Sequence, residues 1–271
     1  MSSFALKSVA LVLMLLDHIH WFLGFTGVIP QWFVWLGRLS APLFYFCMAE
    51  GMYHTRSRKA YLLRMYLFSV AMGFGNLVLT RLFPNAPSGE IPCNIFASLF
   101  LGAGIIWCME EMVQDNRKGQ TFWMYFVGLQ VVSFFLIGRL QAAGSADEAQ
   151  MAQLLADAAV ILLPNPLTAE GGIWFVMLGP LFYYFRYNKG RMAIAYTVFS
   201  AIWLLNSFSA LQMGQSVTEA FFTLQYQWMM IGALPLLWAY NGQKGRFSLK
   251  YLFYLFYPAH VWGLYLLSRT F

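Results

Sequence analysis

Residues 5–24 read ALKSVALVLMLLDHIHWFLG, and this stretch decides what kind of chain follows. Twenty residues of α-helix cover about 30 Å, the thickness of the hydrocarbon core of a bilayer. The run is broken only by Lys7, Ser8 and the cluster Asp17, His18 and His20. No small-residue cleavage site follows it, so it reads as a retained helix and not as a secretory signal. Eight further apolar runs of similar length lie beyond it, at about 31–54, 59–83, 93–113, 121–140, 170–187, 191–210, 219–240 and 248–268. The chain is 60% hydrophobic and 10% charged, against about 25% charged residues in soluble domains. So few charges could not cover a water-exposed surface. The expected fold is all-α and integral to the membrane, a polytopic bundle of about nine transmembrane helices in one domain over residues 1–271. Pro42, Pro180, Pro235 and Pro258 lie inside those runs and predict local kinks.

A formal charge of +6 in a soluble protein would point to nucleic acid. Here the basic residues cluster in short connections between apolar runs, so no nucleic-acid partner is indicated. With the N-terminus cytoplasmic, the inner side receives Lys7, Arg56, Arg58, Lys59, Arg64, Arg117, Lys118, Arg186, Lys189, Arg191, Lys244, Arg246 and Lys250, which is 13 of the 17 Lys and Arg. That asymmetry follows the positive-inside rule and predicts this orientation. The longest connection, about 141–169, carries Asp147, Glu148 and Asp157 and would face outward. Its segment 147–163 predicts an amphipathic helix lying on the membrane surface. Cys47, Cys93 and Cys108 are scattered without ligand spacing and read as small buried apolar residues.

Ionisable groups inside apolar helices cost about 2.5–3.5 kcal/mol each on insertion scales, which makes them functional candidates. Lys7 and His18 are 11 residues apart, about three turns, so they share a face with His18 about 16 Å further along the axis. Asp17 is turned about 100° from His18. His20 lies at the outer interface and reads as structural. Arg38, two turns into the second run, comes to the depth of Asp17 and predicts an ion pair across the first two helices. Such a pair serves equally well as a packing clamp. Glu50 and His54 form an i,i+4 pair that leads into Arg56, Arg58, Lys59 and Arg64. A basic run of this kind is also what a topology signal or an anionic-lipid contact looks like. In the last run His260 lies near the depth of His18, with Tyr257 one turn below it and Pro258 between. Asn76 and Asn206 add polar groups. No HExxH, CxxC, GxSxG or P-loop occurs. His54 lies about 15 Å or more too low to share a metal with His18 and His260, so none is expected.

The stretches LMLLDHI (13–19), GRLSAPLFYF followed by Glu50-Gly51, HTRSRKAYLLR (54–64) and FYLFYPAH (253–260) together resemble the TraX family. The segment CNIFASLFLGAG (93–104) adds to the likeness, which covers the first third and the last twenty residues. That family is linked to acetylation of a pilin N-terminus and to the larger acyltransferase-3 membrane superfamily. The resemblance implies acetyl-CoA as a cytoplasmic donor, and a lysine or arginine plus a histidine in the first helix, which Lys7 and His18 match. It also implies a bacterial cytoplasmic membrane and an acceptor amine or hydroxyl that is membrane-associated or extracytoplasmic. The residues suit that chemistry. Lys7, His54, Arg56, Arg58, Lys59 and Arg64 suit the donor's phosphates, and neutral His18 suits a general base. Asp17 supports the site through Arg38, while Arg38, Tyr257 and His260 are the expected oxyanion donors. His18 as an acetyl acceptor is a second route. The alternative is a transporter or flippase with a polar pathway and no acyl transfer, which predicts internal repeats. None is visible.

Overall fold

The structure is a computed structural model that describes the chain except residues 85, 92–93, 143–145 and 246–249, and the side chains of 146–149 and 250. Helices and their connecting turns account for it, with no strand among the described residues. In order they are α1 (Ser3–Leu23), α2 (Trp32–Gly37), α3 (Ser40–His54), α4 (Arg58–Leu82), α5 (Ile95–Gln114), α6 (Asn116–Gln141), α7 (Ala146–Leu162), α8 (Gly172–Phe185) and α9 (Lys189–Gln212). A π-helical turn (Glu219–Leu224) and a 3-10 stretch (Tyr226–Ala233) follow, then α10 (Leu234–Trp238) and α11 (Lys250–Ser268).

The helix starts are chemically marked. Ser2 Oγ accepts from Ala5 N at 3.3 Å, Ser57 Oγ from Ala60 N at 3.3 Å, Asp115 Oδ1 from Arg117 N and Lys118 N, and Asn188 Oδ1 from Arg191 N at 2.9 Å. Each satisfies a donor that a first helical turn leaves unpaired. The backbone N–H of Lys118, with that residue's side chain, holds the Asp115 carboxyl below the usual carboxylate range.

Among the described residues, six helical spans are long and apolar enough to cross a membrane: Ser3–Thr26, Trp32–His54, Arg58–Leu82, Ile95–Gln114, Asn116–Gln141 and Lys189–Gln212. The expected run at 170–187 shortens to the 14 residues of α8. The run at 219–240 is no continuous helix but the π turn, the 3-10 stretch and α10. The last run, 248–268, matches α11, its first two residues lying outside the described ones. Large apolar side chains face outward along these helices. On α6 these are Met124, Tyr125, Val132 and Phe135 among others, as lipid-facing surfaces require.

The chain divides into two compact units that interleave in sequence. Unit 1 holds Met1–Cys47, Asn85–Glu90 and Leu181–Phe271; unit 2 holds Met48–Pro84 and Ile91–Pro180. Because neither unit is one continuous segment, no linker or composition shift announces them, and the sequence reads as a single domain.

In unit 2, Leu101 and Ile105 of α5 pack with Val176 of α8, flanked by Trp123 and Phe126 of α6. Gly102 lets α8 approach: a Cβ there would lie 3.0 Å from Val176 O. Helix α7 forms where the sequence predicts an amphipathic helix. It packs lengthwise against α4, with Asp157 bonded to Arg81 at 2.8 Å, Ile161 against Gly73, and Leu162 O accepting from Tyr66 OH at 2.9 Å. Its end therefore reaches the middle of α4. The following turn is pinned there by Asn165, 2% exposed, whose Nδ2 donates to Gln130 O and Ser133 Oγ, both at 2.8 Å. Ala152 and Ala156 of α7 are buried. Asp147 and Glu148 lie outside the described side chains, as does Lys250, while Arg246 and Cys93 lie outside the described residues altogether. Cys47 and Cys108 are buried thiols.

Candidate functional site

Polar side chains of unit 1 converge where three of its elements lose regularity. The second expected helix is broken at Arg38–Leu39, between α2 and α3. Pro42 explains the place: it has no N–H to give the carbonyl of residue 38, and its ring crowds that carbonyl. Ser40 Oγ, donating to Gly37 O at 2.7 Å, helps close the turn. Arg38 thus sits on a turn and not inside a helix. Pro258 lies within α11, and the π turn gives way to the 3-10 stretch at Gln225.

Asp17 of α1 and Arg38 form the ion pair that their depths predict, Nη2 to Oδ1. Their side chains are 16% and 21% exposed. Arg38 is held further by Nε to Val34 O at 3.4 Å, by Nη1 to Gln227 Oε1 at 3.2 Å, and over the Tyr226 ring at 5.5 Å. Neither Gln227 nor Tyr226 stands out from the sequence when only ionisable groups are sought. Two glutamines, Gln225 and Gln227, inside an apolar run were the available signal.

His18, 4% exposed, pairs with His260: Nδ1 lies 2.7 Å from Nε2, with the rings stacked at 4.9 Å. His260 Nδ1 in turn lies 2.6 Å from Phe256 O, and the Phe256 ring stacks on His260 at 4.8 Å. A carbonyl only accepts, so His260 Nδ1 carries a hydrogen. In a neutral pair, His260 Nε2 is then bare and His18 Nδ1 must donate to it. The bare nitrogen left over is His18 Nε2. Tyr257, 2% exposed, lies 5.9 Å from His18 and 5.7 Å from His260 between ring centres. Asp17, His18, Arg38, Tyr257 and His260, expected to act together, are all in unit 1. Lys7 shares α1 with His18, and its Nζ lies over the Phe253 ring at 5.7 Å.

The other basic candidates belong to unit 2 and differ from one another. Arg58 grips Glu110 with two prongs, Nε to Oε2 at 2.7 Å and Nη2 to Oε1 at 2.9 Å, and also bonds Thr55 O. It clamps α4 to α5, its charge matched by a carboxylate. Glu110 was not anticipated as its partner. Arg56 and Lys59 are exposed. Arg64 lies 5.8 Å from the Tyr61 ring and has a buried Nε without a partner. His54 approaches Glu50 at 3.7 Å, the expected i,i+4 pair. Asn76 is buried and bonds Ile91 O at 3.5 Å, whereas Asn206 is exposed. Among the described residues, no three His, Cys, Asp or Glu side chains are grouped as a metal would need.

A many-helix chain with six membrane-length apolar helical spans among its described residues, and with a largely buried histidine pair and an ion pair on α1, defines a multi-pass membrane protein with a polar centre. The chain belongs to the TraX protein family, which matches residues 2–268. It is 26% identical over 266 residues to a probable fimbrial assembly protein, FimC of serogroup H1, from Dichelobacter nodosus, covering 96% of this chain and 93% of that protein. No solved structure matches.

Proposed function

We propose that the chain is a membrane-embedded acetyltransferase of the acyltransferase-3 type, which moves an acetyl group from cytoplasmic acetyl-CoA to an amine or hydroxyl. The acceptor is membrane-associated or extracytoplasmic, and the membrane is a bacterial cytoplasmic one. One observation carries this reading: the chain from Phe256 O through His260 to His18 leaves Nε2 of a 4%-exposed histidine with its lone pair. A buried imidazole with a set tautomer is the form a general base needs. Fimbrial assembly, for which the relative is named, makes the amine of a pilin-type peptide one acceptor class, and a glycan hydroxyl would use the same chemistry.

In the proposed step, His18 Nε2 takes the proton of the acceptor N–H or O–H as that atom attacks the thioester carbonyl carbon. The C–S bond then breaks, and the departing coenzyme thiolate takes the proton from His18 Nε2. His260 shares the transient positive charge through its bond to Nδ1, so its duty is to orient His18, not to donate to the oxyanion. Arg38, fixed by Asp17, and Tyr257 remain the candidates for that donation. Within unit 2, Arg56, Lys59 and Arg64 are the cations proposed for the donor's phosphates, with Arg58 engaged by Glu110.

Purified chain in detergent, given acetyl-CoA and a peptide with a free N-terminus, should cleave the thioester and form the acetylated peptide by mass spectrometry. Thioester hydrolysis without the peptide would show the same chemistry at a lower rate. Absence of both, together with flux of a polar solute across proteoliposomes, would replace this reading with transport, which the broken segment 219–238 would then serve.

A further inference from the structure

The irregular segment after α9 is braced at four carbonyls. Trp228 Nε1 donates to Phe221 O at 3.0 Å, Trp35 Nε1 to Phe222 O at 2.8 Å, Ser207 Oγ to Gln225 O at 3.1 Å, and Tyr196 OH to Met230 O. Side chains from α2, α9 and the segment itself thus supply bonds that a regular helix would have made internally. Non-helical backbone within a membrane-spanning chain persists where it is buried in protein or lines a wet cavity, and π turns recur at functional sites. This break is maintained, and what it maintains is the placement of Gln227 against Arg38.

The orientation of that amide follows from its partner. A guanidinium only donates, so the atom of Gln227 that lies 3.2 Å from Arg38 Nη1 is the oxygen. The nitrogen therefore faces away from Arg38. Its bond among the described residues is to Met230 Sδ at 3.7 Å, and a thioether is a weak acceptor. A partly buried N–H pair is thus aimed by the same arginine that pairs with Asp17, one residue from His18, yet is satisfied only by sulfur. A carbonyl oxygen acquiring negative charge would be a far better partner. We infer that Gln227 binds the acyl carbonyl oxygen of the donor through Nε2–H, strengthening as that oxygen becomes an oxyanion. The inference rests on the acetyl-transfer reading and adds to it a residue in direct contact with substrate.

Two substitutions separate donation from mere support of Arg38. Gln227→Glu keeps an oxygen for Arg38 but has no N–H to offer. Gln227→Leu keeps the volume and has neither. In the full chain, with acetyl-CoA as probe, both should lose about 100-fold in kcat, the usual cost of one oxyanion donor, with KM little changed. Gln227→Glu should keep the thermal midpoint of the unaltered chain. Wild-type kcat in Gln227→Glu would overturn the inference and leave the acetyl-transfer reading standing, because support of Arg38 would then be the whole role. A rise in KM at constant kcat would overturn it too. Should Gln227→Glu fail to fold, Gln227→Met takes its place: its thioether can accept from Arg38 but has no N–H to offer, so its kcat decides by the same criterion. No thioester cleavage by the unaltered chain would remove the reading and this inference together.

Discussion

Gly37 lies against Asp17 so closely that a Cβ on residue 37 would overlap the Cβ and carboxylate of the aspartate. The absence of a side chain there is what lets α2 approach α1 and bring Arg38 onto Asp17. Gly37→Ala should therefore destabilise the protein by about 1–3 kcal/mol, the range for overpacking a closely packed contact. It should also lower activity through displacement of Asp17. Thermal unfolding and acetyl-transfer rates of the variant check this, and an unchanged midpoint would mean that the two helices can part without cost.

The Asp17–Arg38 pair makes a second prediction. Removing one partner of a poorly solvated pair typically costs about 3–5 kcal/mol because the other charge is left behind. Asp17→Ala should fall in that range, and Asp17→Ala/Arg38→Met should regain part of the stability but none of the activity. Gln227, Tyr226 and the Val34 carbonyl also hold Arg38, so recovery should be incomplete. A double variant no more stable than Asp17→Ala would show that the pair is not the dominant tie.

The histidine pair changes what substitution of His18 should do. From sequence alone His18 has no structural partner, and His18→Ala would be nearly neutral for folding. The bond to His260 means that the variant leaves His260 Nε2 unpaired, and burying such a group costs about 1–3 kcal/mol. His18→Ala should lose that much stability and about 10²–10⁴ in rate. His260→Ala should keep measurable turnover, because the base itself survives and only its orientation is loosened. Equal losses in both variants would mean that His260 does more than orient.

Much of this site was readable in the chain. Asp17, His18, Arg38 and His260 announce themselves as charges and imidazoles in apolar helices, and helical rise alone brings the first three to one depth. The unreadable parts have physical causes. His18 and His260 are 242 residues apart, and depth says nothing of which helices are neighbours. The break at Arg38 is legible in hindsight from Pro42, which acts four residues upstream of itself. The run at 219–240 has the hydropathy of a spanning helix, and hydropathy is blind to carbonyls satisfied by Trp35, Ser207 and Tyr196 instead of by the helix. Helix α7 is legible as a helix, but its packing against α4 is not, since an amphipathic pattern does not name the helix that receives it. The two units could not be seen because the chain passes between them repeatedly.

The basic residues of unit 2 should not behave alike. Arg56→Ala and Lys59→Ala remove exposed charges without disturbing packing, so they should weaken donor binding, with an effect that shrinks as salt rises. Arg58→Ala removes the two-pronged bond to Glu110 that ties α4 to α5 and should lower the thermal midpoint as well. Titration of coenzyme A against each variant at low and high salt, beside thermal scans, separates the two behaviours. Unchanged affinity in both Arg56→Ala and Lys59→Ala would reduce that rim to a topology signal.

Orientation is testable within unit 2. Ser57 precedes α4 beside Arg56 and Lys59, while Gln141 ends α6, a helix that starts at Asn116 next to Arg117 and Lys118. A helix of 26 residues runs about 39 Å, enough to separate its basic start from its far end by a full bilayer. If the positive-inside rule governs, the starts of α4 and α6 are cytoplasmic and Gln141 is not. In a chain whose three native cysteines are replaced, Gln141→Cys should react with a membrane-impermeant maleimide in intact cells. Ser57→Cys should react only after the membrane is opened. The reverse pattern would invert the orientation and place Arg56 and Lys59 on the side away from acetyl-CoA, which would remove them from donor binding at once.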